Sequence, residues 1–170
     1  MKARGFTVVE ILVVIIIMAI LLTLAVVNVR STQINARDAE RQTDVENIAI
    51  RLESYYNAPK GATGGGSHYP ATADITPSTL QTMLPEFSAT NFRAPGNNDE
   101  GTIDLVPATN IDETVGGVRP QPTYTSYVYQ PIDEGGQKLC TAAIDNCRRF
   151  NIFYRLEIDG SIQVIKSKNR

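Results

Sequence analysis

The residue with the clearest chemical consequence is Glu10, because it is the only charged residue between Phe6 and Val29. A carboxylate inside an apolar membrane helix costs several kcal/mol unless it finds a partner. If a peptidase cut between Gly5 and Phe6, the new α-amino group of Phe6 would be a cation in similarly apolar surroundings. Glu10 of a neighbouring subunit could pair with that amine and set a staggered register between parallel helices, because each unpaired charge is penalised. The spacing therefore predicts a proteolytically created ion pair that guides assembly.

The residues around this site resemble the class III signal of type IV prepilins and of type II secretion pseudopilins. KARG at residues 2–5 is a short basic leader, FTVVE follows at residues 6–10, and a long apolar stretch comes next. In that family the peptidase cuts after the glycine and methylates the new phenylalanine amine. The resemblance implies cleavage between Gly5 and Phe6, N-methylation of Phe6, and subunit assembly through Glu10 and Phe6.

The apolar stretch itself predicts a membrane-spanning helix. Residues 6–29 would extend about 36 Å as a helix, enough to cross a hydrocarbon core of about 30 Å. Lys2 and Arg4 precede it and favour a cytoplasmic N-terminus, with the C-terminal part outside. An ordinary signal peptide should have a shorter core and an A-x-A-like site, whereas NVRST follows here. A plain signal anchor stays open, although Glu10 counts against it.

The long helix should continue to about residue 57, since neither Gly nor Pro occurs between Phe6 and Ala58. Many type IV pilins carry both residues within this helix, so the resemblance departs here and a continuous helix is the simpler prediction. Apolar side chains at three- and four-residue steps predict one buried stripe: Ile34, Val45, Ile48, Leu52 and Tyr55. We interpret the charged side chains between them as a solvated face: Arg37, Asp38, Glu40, Arg41, Asp44 and Glu46.

The sequence of residues 58–170 predicts a small globular domain, which we call the head. A Gly- and Pro-rich loop at residues 58–70 leads to a short helix that Thr76-Pro77 opens and Pro85 ends. Strand patterns cover residues 123–130, 151–158 and 161–167, with a weaker one at 102–106, and Asp159-Gly160 signals a hairpin. Helix 36–57 and the following Tyr69-Pro70 also resemble major pseudopilins and related pilins. The predicted fold is α+β, a long helix packed on a small antiparallel sheet.

Cys140 and Cys147 enclose a short loop in the polar part. If that part lies outside the cell, a disulfide is the natural interpretation, worth about 2.5 kcal/mol by chain entropy. The alternative is two buried free thiols. The spacing, with one distant histidine, is poor for zinc.

Other motifs give little support for catalysis or cofactors. His68 is the only histidine, and nothing in the sequence orients it beside Ser67 as a triad would need. GATGGG at residues 61–66 lacks the pattern of a phosphate loop and is better read as a flexible loop. Oxygen-bearing residues could bind calcium, but their spacing is not that of an EF-hand and favours a solvated turn: Asn97, Asn98, Asp99, Glu100 and Asp104.

Charge argues against nucleic acid as the main partner. Without Lys2, Arg4 and Glu10, the totals of 16 basic and 18 acidic residues become 14 and 17. No basic block is visible, so the sequence gives no direct support for DNA or RNA binding.

We therefore expect a structural protein and no enzyme, divided into a leader (1–5), a membrane and filament-core helix (6–29), an amphipathic helix (30–57) and a head (58–170). The predicted function is a pilin of a type IV pilus-like filament, with roles in adhesion, motility or DNA uptake. Its partners would be its own copies, prepilin peptidase, the bilayer and a pilus or secretion platform. It would be a single-pass inner-membrane protein before assembly and extracellular afterwards. The alternatives are a type II secretion pseudopilin and a membrane-anchored binding domain that never polymerises.

Overall fold

The computed structural model describes residues 5–85, 92–97, 103–142 and 145–169, with only the backbone of residues 25–28. The chain forms two compact units, Met1–Ala36 and Arg37–Arg170. Helix α1, Val8–Asn57, runs through both. The predicted long, unbroken helix is confirmed, as expected for a stretch without Gly or Pro.

In the first unit, α1 exposes its apolar side chains. Its large apolar residues from Phe6 to Leu24 are between 46% and 84% exposed. An 18-residue window has a mean hydropathy of 3.1, and none of it is buried. By length and composition α1 can cross a membrane, and an apolar surface exposed along its length needs lipid or protein to cover it.

The second unit contains a four-stranded sheet in the order β1-β2-β3-β4. The strands are Leu105–Pro107, Tyr127–Asp133, Cys147–Arg155 and Ile162–Lys166. The pairs β2–β3 and β3–β4 are antiparallel, but β1–β2 is parallel. The prediction of an antiparallel sheet is therefore corrected to a mixed one. Segment 108–126 is long enough for the crossover that a parallel pair requires.

The predicted C-terminal hairpin is present as β3 and β4. Leu156 N–H donates to Ser161 O at 2.9 Å and closes the turn, where Gly160 has a φ of +70° that favours glycine. The strand predicted from residue 123 begins at Tyr127, because the preceding residues form a tight turn in which Thr125 N–H donates to Thr123 Oγ1.

The core lies between the sheet and the apolar stripe of α1. Val45, Ile48 and Leu52 are fully buried, as predicted, and pack in one cluster with Tyr129 and Phe150. Burying such side chains stabilises the unit by about 1.5–3 kcal/mol each. A short helix, α2 (Pro77–Met83), covers one side of this core through Leu80. The Thr76 side chain caps α2 by accepting a hydrogen bond from Thr79 N–H.

The Gly-rich loop closes the C-terminal end of α1. Gly65 N–H donates to Tyr55 O at 2.8 Å, and Ser67 N–H donates to Tyr56 O at 2.8 Å. A Cβ at Gly65 would lie 2.7 Å from the Tyr55 ring, so only glycine fits there. The loop therefore satisfies carbonyl groups that the helix end leaves unpaired.

Glu53 ties the C-terminal segment to α1, although the sequence analysis did not single it out. This buried carboxylate accepts hydrogen bonds from Tyr69 Oη at 2.8 Å and from Lys168 N–H at 2.7 Å. Asn169 Nδ2 donates to the same carboxylate at 3.2 Å. A buried carboxylate needs such partners, because an unsatisfied one is costly.

Candidate assembly site

The Gly5–Phe6 peptide bond lies in an exposed stretch that precedes α1. The Phe6 side chain is 80% exposed, and a Cβ built on Gly5 would meet nothing within 4 Å. Lys2 and Arg4 lie outside the described residues. The bond at which the sequence predicts cleavage is therefore accessible to an enzyme.

Glu10 and Thr7 form a capping box at the start of α1. The Glu10 carboxylate accepts hydrogen bonds from Thr7 N–H at 3.2 Å and from Thr7 Oγ1 at 3.3 Å. Thr7 Oγ1 accepts in turn from Glu10 N–H at 3.2 Å. The two residues thus satisfy two of the N–H groups that a helix start leaves without partners.

This role of Thr7 was not among the sequence-based predictions. The pattern Thr-x-x-Glu before an apolar run is a known signature of a helix start, and residues 7–10 match it.

Glu10 has hydrogen bonds but no ion pair among the described residues. The positive end of the helix dipole offsets a carboxylate in the first turn by about 0.3–1 kcal/mol, which is less than the cost of a charge in lipid. If this part of α1 lies in a membrane, the groups placed around Glu10 in the described residues do not offset the cost of its charge.

The predicted cysteine pair lies in the second unit, where both thiols are buried and free. The neighbouring Cys140 thiol, together with burial, holds the pKa of Cys147 well above its usual range. Their backbone carbonyls hold the end of the Gly-rich loop and the residues that follow it: Tyr69 N–H donates to Cys147 O at 2.8 Å, and Thr72 N–H donates to Cys140 O at 3.0 Å. The two sulfur atoms are neighbours, and the disulfide stays a prediction.

The remaining candidates form no site in the described parts of the chain. His68 Nδ1 lies 3.0 Å from Gly66 O, within its own loop. The Asp104 carboxylate accepts hydrogen bonds from Ala94 N–H and Asn97 Nδ2, both at 2.7 Å. Residues 98–100 of the suggested calcium cluster lie outside the described residues. Elsewhere in the described chain, no group of three or more His, Cys, Asp or Glu side chains is placed to hold a metal.

The predicted solvated face of α1 was wrong at Asp38 and Arg41, which are 8% and 1% exposed. Arg41 Nη1 donates to Asp38 Oδ1 at 2.8 Å, and Arg41 Nη2 pairs with Glu157. Arg37 also pairs with Glu157, at 2.5 Å. The cause is tertiary, because the β3–β4 turn folds over this part of α1 and brings Glu157 with it.

This ion network has a clear electrostatic consequence. The hydrogen bond from Arg37 and the nearby Arg41 lower the pKa of Glu157 to about 2, although partial burial opposes them. Asp38 completes the network by accepting from Glu157 N–H at 2.8 Å and from Ile158 N–H at 3.0 Å. The turn is thereby fixed to α1 through both its side chains and its backbone.

Comparison with known proteins identifies the N-terminal segment. Residues 1–26 match the prokaryotic N-terminal methylation motif, which is the class III signal of type IV pilins and pseudopilins. The match includes Gly5, Phe6 and Glu10, so the resemblance drawn from the sequence is confirmed, and it supports a chain of the type IV pilin-like or pseudopilin kind. Searches of curated proteins and of solved structures found no significant match.

Proposed function

We propose that this chain is the structural subunit of a type IV pilus-like surface filament, released from its leader between Gly5 and Phe6. The observation that carries this proposal is Glu10, a carboxylate in the first turn of an exposed apolar helix, with Thr7 as its hydrogen-bond partner. A charge at this position needs a cation, and cleavage would create one.

The chemistry of release supplies that cation. Hydrolysis of the Gly5–Phe6 bond leaves a carboxylate on Gly5 and an α-amino group on Phe6. Methylation, in which an activated methyl donor replaces one N–H proton with a methyl group, leaves the amine basic, so it stays protonated near neutral pH. Glu10 of one copy and Phe6 of the next would then pair in surroundings from which water is excluded, where the attraction is strong and a mismatched register leaves two unpaired charges.

Before assembly, the chain would be a single-pass inner-membrane protein with its N-terminus in the cytoplasm, in contact with prepilin peptidase and an assembly platform. In the filament, the apolar residues of α1 would exchange lipid for the helices of other copies. The second unit would face outward and could serve adhesion, motility or DNA uptake.

The first test is mass spectrometry of the N-terminal peptide from surface material sheared from producing cells. We expect a peptide that begins at methylated Phe6. A peptide that begins at Met1 and is found only in membranes would instead support an anchored domain that never polymerises. Processed protein that stays in the envelope would favour a type II secretion pseudopilin.

The second test separates membrane insertion from assembly. Glu10→Leu should still insert in the membrane, yet yield no sheared filament. Val9→Leu is the matched control, since it changes the adjacent apolar residue and leaves the carboxylate in place. Normal filaments from Glu10→Leu would refute the pairing.

A further inference from the structure

Two large apolar side chains in the described part of the second unit are more than half exposed. They are Ile50 at 59% and Ile158 at 60%. Scattered exposed apolar residues are ordinary on a protein surface. These two residues differ from such scattered residues because Ile50 lines a groove, Ile158 lies at the tip of a turn, and both have charged neighbours.

Ile50 lies in a groove between α1 and β4, which has a volume of about 190 Å³. Ala49 and Ile165 line it as well, and Lys166 and Lys168 lie at its β4 side. Lys168 is exposed and has no ion pair among the described residues. Lys166 lies 4.0 Å from Glu113, too far for a hydrogen bond. We call this the α1–β4 groove.

The α1 side of this groove carries two carboxylates. Glu53 is buried and hydrogen-bonded to Tyr69, to the Lys168 backbone and to Asn169. Glu46 is exposed and accepts a hydrogen bond from Gln42 Nε2 at 2.9 Å. The groove therefore carries charges of both signs, and the ammonium group of Lys168 is the cation at its β4 side that has no ion pair among the described residues.

Ile158 and the exposed Asp159 tip the β3–β4 turn, and we call this pair the turn knob. Its conformation is fixed, since Ile158 N–H donates to the buried Asp38 and Ser161 N–H donates to Asp159 Oδ1 at 2.9 Å. Asp159 has no ion pair among the described residues. The knob thus presents an apolar side chain beside an unpaired carboxylate.

We infer that the turn knob of one copy docks in the α1–β4 groove of another. Ile158 would fill the space beside Ile50 and Ile165, and Asp159 would pair with Lys168. The knob projects from a turn and the groove is a hollow, and docking would bring the carboxylate of Asp159 to the ammonium group of Lys168. This inference rests on the proposed function, because it places the contact between neighbouring subunits of the filament.

The turn knob of one copy cannot reach the α1–β4 groove of the same copy. The knob is bound at Asp38, whereas the groove lies at residues 46–53 of the same helix, about 17 Å further along at 1.5 Å per residue. A contact between two different patches is heterologous, and such contacts build open-ended assemblies unless the rotation closes a ring. Copies with parallel helices that make it are offset by about 17 Å along α1.

The test is a pair of cysteines in the full chain, Ile50→Cys with Ile158→Cys, in filaments sheared from producing cells and then oxidised. We expect a ladder of covalent multimers on a non-reducing gel, because each copy contributes one cysteine to the contact at its knob and the other to the contact at its groove. Each single variant should remain monomeric. The matched control is Ile50→Cys with Val115→Cys, since Val115 is also apolar and 42% exposed. The native cysteines are buried and should not contribute.

Filaments that form without a ladder, or a control that gives the same ladder, would overturn the inference and leave the proposed function standing. Absence of filaments from the unaltered chain would instead refute the proposed function. If the double-cysteine variant fails to assemble, charge-reversal variants test the contact between Asp159 and Lys168 instead. Lys168→Glu and Asp159→Lys should each lower the filament yield by roughly two- to tenfold, since exposed ion pairs contribute little. Combining the reversals should restore the yield, and unchanged yields from the single reversals would overturn the contact.

Discussion

Arg41 of α1 and Glu157 of the β3–β4 turn form an ion pair in which the arginine side chain is 1% exposed and the carboxylate 18% exposed. Arg41 also donates from Nε to Tyr124 O at 3.0 Å. The Arg41 guanidinium therefore links α1 to the β3–β4 turn and to the loop that contains Tyr124, both of which are far from it in the sequence. Asp38, which pairs with Arg41, also fixes the position of Ile158 by accepting a hydrogen bond from its N–H at 3.0 Å.

Arg41→Met should destabilise the second unit strongly. Among the described residues Arg41 is the ion-pair partner of the buried Asp38, so its removal leaves that carboxylate uncompensated and costs about 3–5 kcal/mol, whereas Glu157 keeps Arg37. Arg37→Met is the control, because Arg37 also pairs with Glu157 but its side chain is 36% exposed, so a loss of about 1 kcal/mol or less is expected. Urea unfolding of the detergent-solubilised chain measures both. Equal losses would mean that the burial of Arg41 does not matter.

Stability should fall in acid through Glu157. Its pKa in the folded chain is about 2, below the ordinary value of 4.5. The group contributes stability that is fully present above the unfolded-state pKa and is lost as the pH falls from about 4.5 toward 2. Urea midpoints measured across this range should decline in the unaltered chain and decline less in Glu157→Gln. Identical acid slopes for the two proteins would contradict the assignment.

Asp44→Asn should stabilise the chain near neutral pH. Burial raises the pKa of Asp44 to about 6, although the hydrogen bond from Tyr127 Oη at 3.3 Å opposes it. Because the folded chain holds this proton more tightly than the unfolded chain does, stability falls as the pH rises through about 6. Asparagine keeps an acceptor for Tyr127 without the charge.

The expected gain for Asp44→Asn is on the order of 1 kcal/mol near pH 7, after allowance for partial exposure, and close to zero near pH 4. Thermal unfolding at the two pH values measures it. The control is Glu46→Gln, an exposed carboxylate on the same helix, which should change little at either pH. A gain that is equally large in acid would show that charge is not the cause.

Thr7→Ala should weaken the start of α1 and lower the amount of filament. The substitution removes both side-chain contacts with Glu10, and loss of an N-cap side chain costs about 1 kcal/mol. Thr7→Ser keeps the hydroxyl and should behave like the unaltered chain. Sheared filament is quantified against the membrane pool, and the N-terminal peptide of that pool is checked for processing. Full assembly of a processed Thr7→Ala chain would show that the capping box has no part in positioning Glu10.

Cys140 and Cys147 should be linked in protein isolated from the cell surface. The intact mass should not shift on alkylation unless the protein is first reduced. Chain entropy assigns the link about 2.5 kcal/mol, so reduction should lower stability by that order. Cys140→Ser should then match the reduced protein. Alkylation of both thiols without reduction would establish the free-thiol alternative.

The first half of α1 could be predicted from local signals alone. A run of apolar residues broken by Glu10, with KARG before it, indicates a helix long and apolar enough to cross a membrane and carries the matched methylation motif, without any distant contact. The buried stripe of Val45, Ile48 and Leu52 was predictable for the same reason, because helical spacing is a local property. The Asp159-Gly160 turn was predictable because glycine readily adopts the conformation that its backbone requires.

Tertiary structure decided what depends on partners that are remote in sequence. Arg41 and Asp38 have the residue types of a solvated face, and they are buried only because Glu157 and the β3–β4 turn reach them from 116 to 120 positions away. The parallel pairing of β1 with β2 depends on the path of segment 108–126, which no periodicity encodes. The turn knob and the α1–β4 groove exist only once the sheet has set Ile158 and Ile165 against their own stretches of α1. Local spacing thus determined which helix forms, whereas charge burial and surface shape depended on which distant segments fold against it.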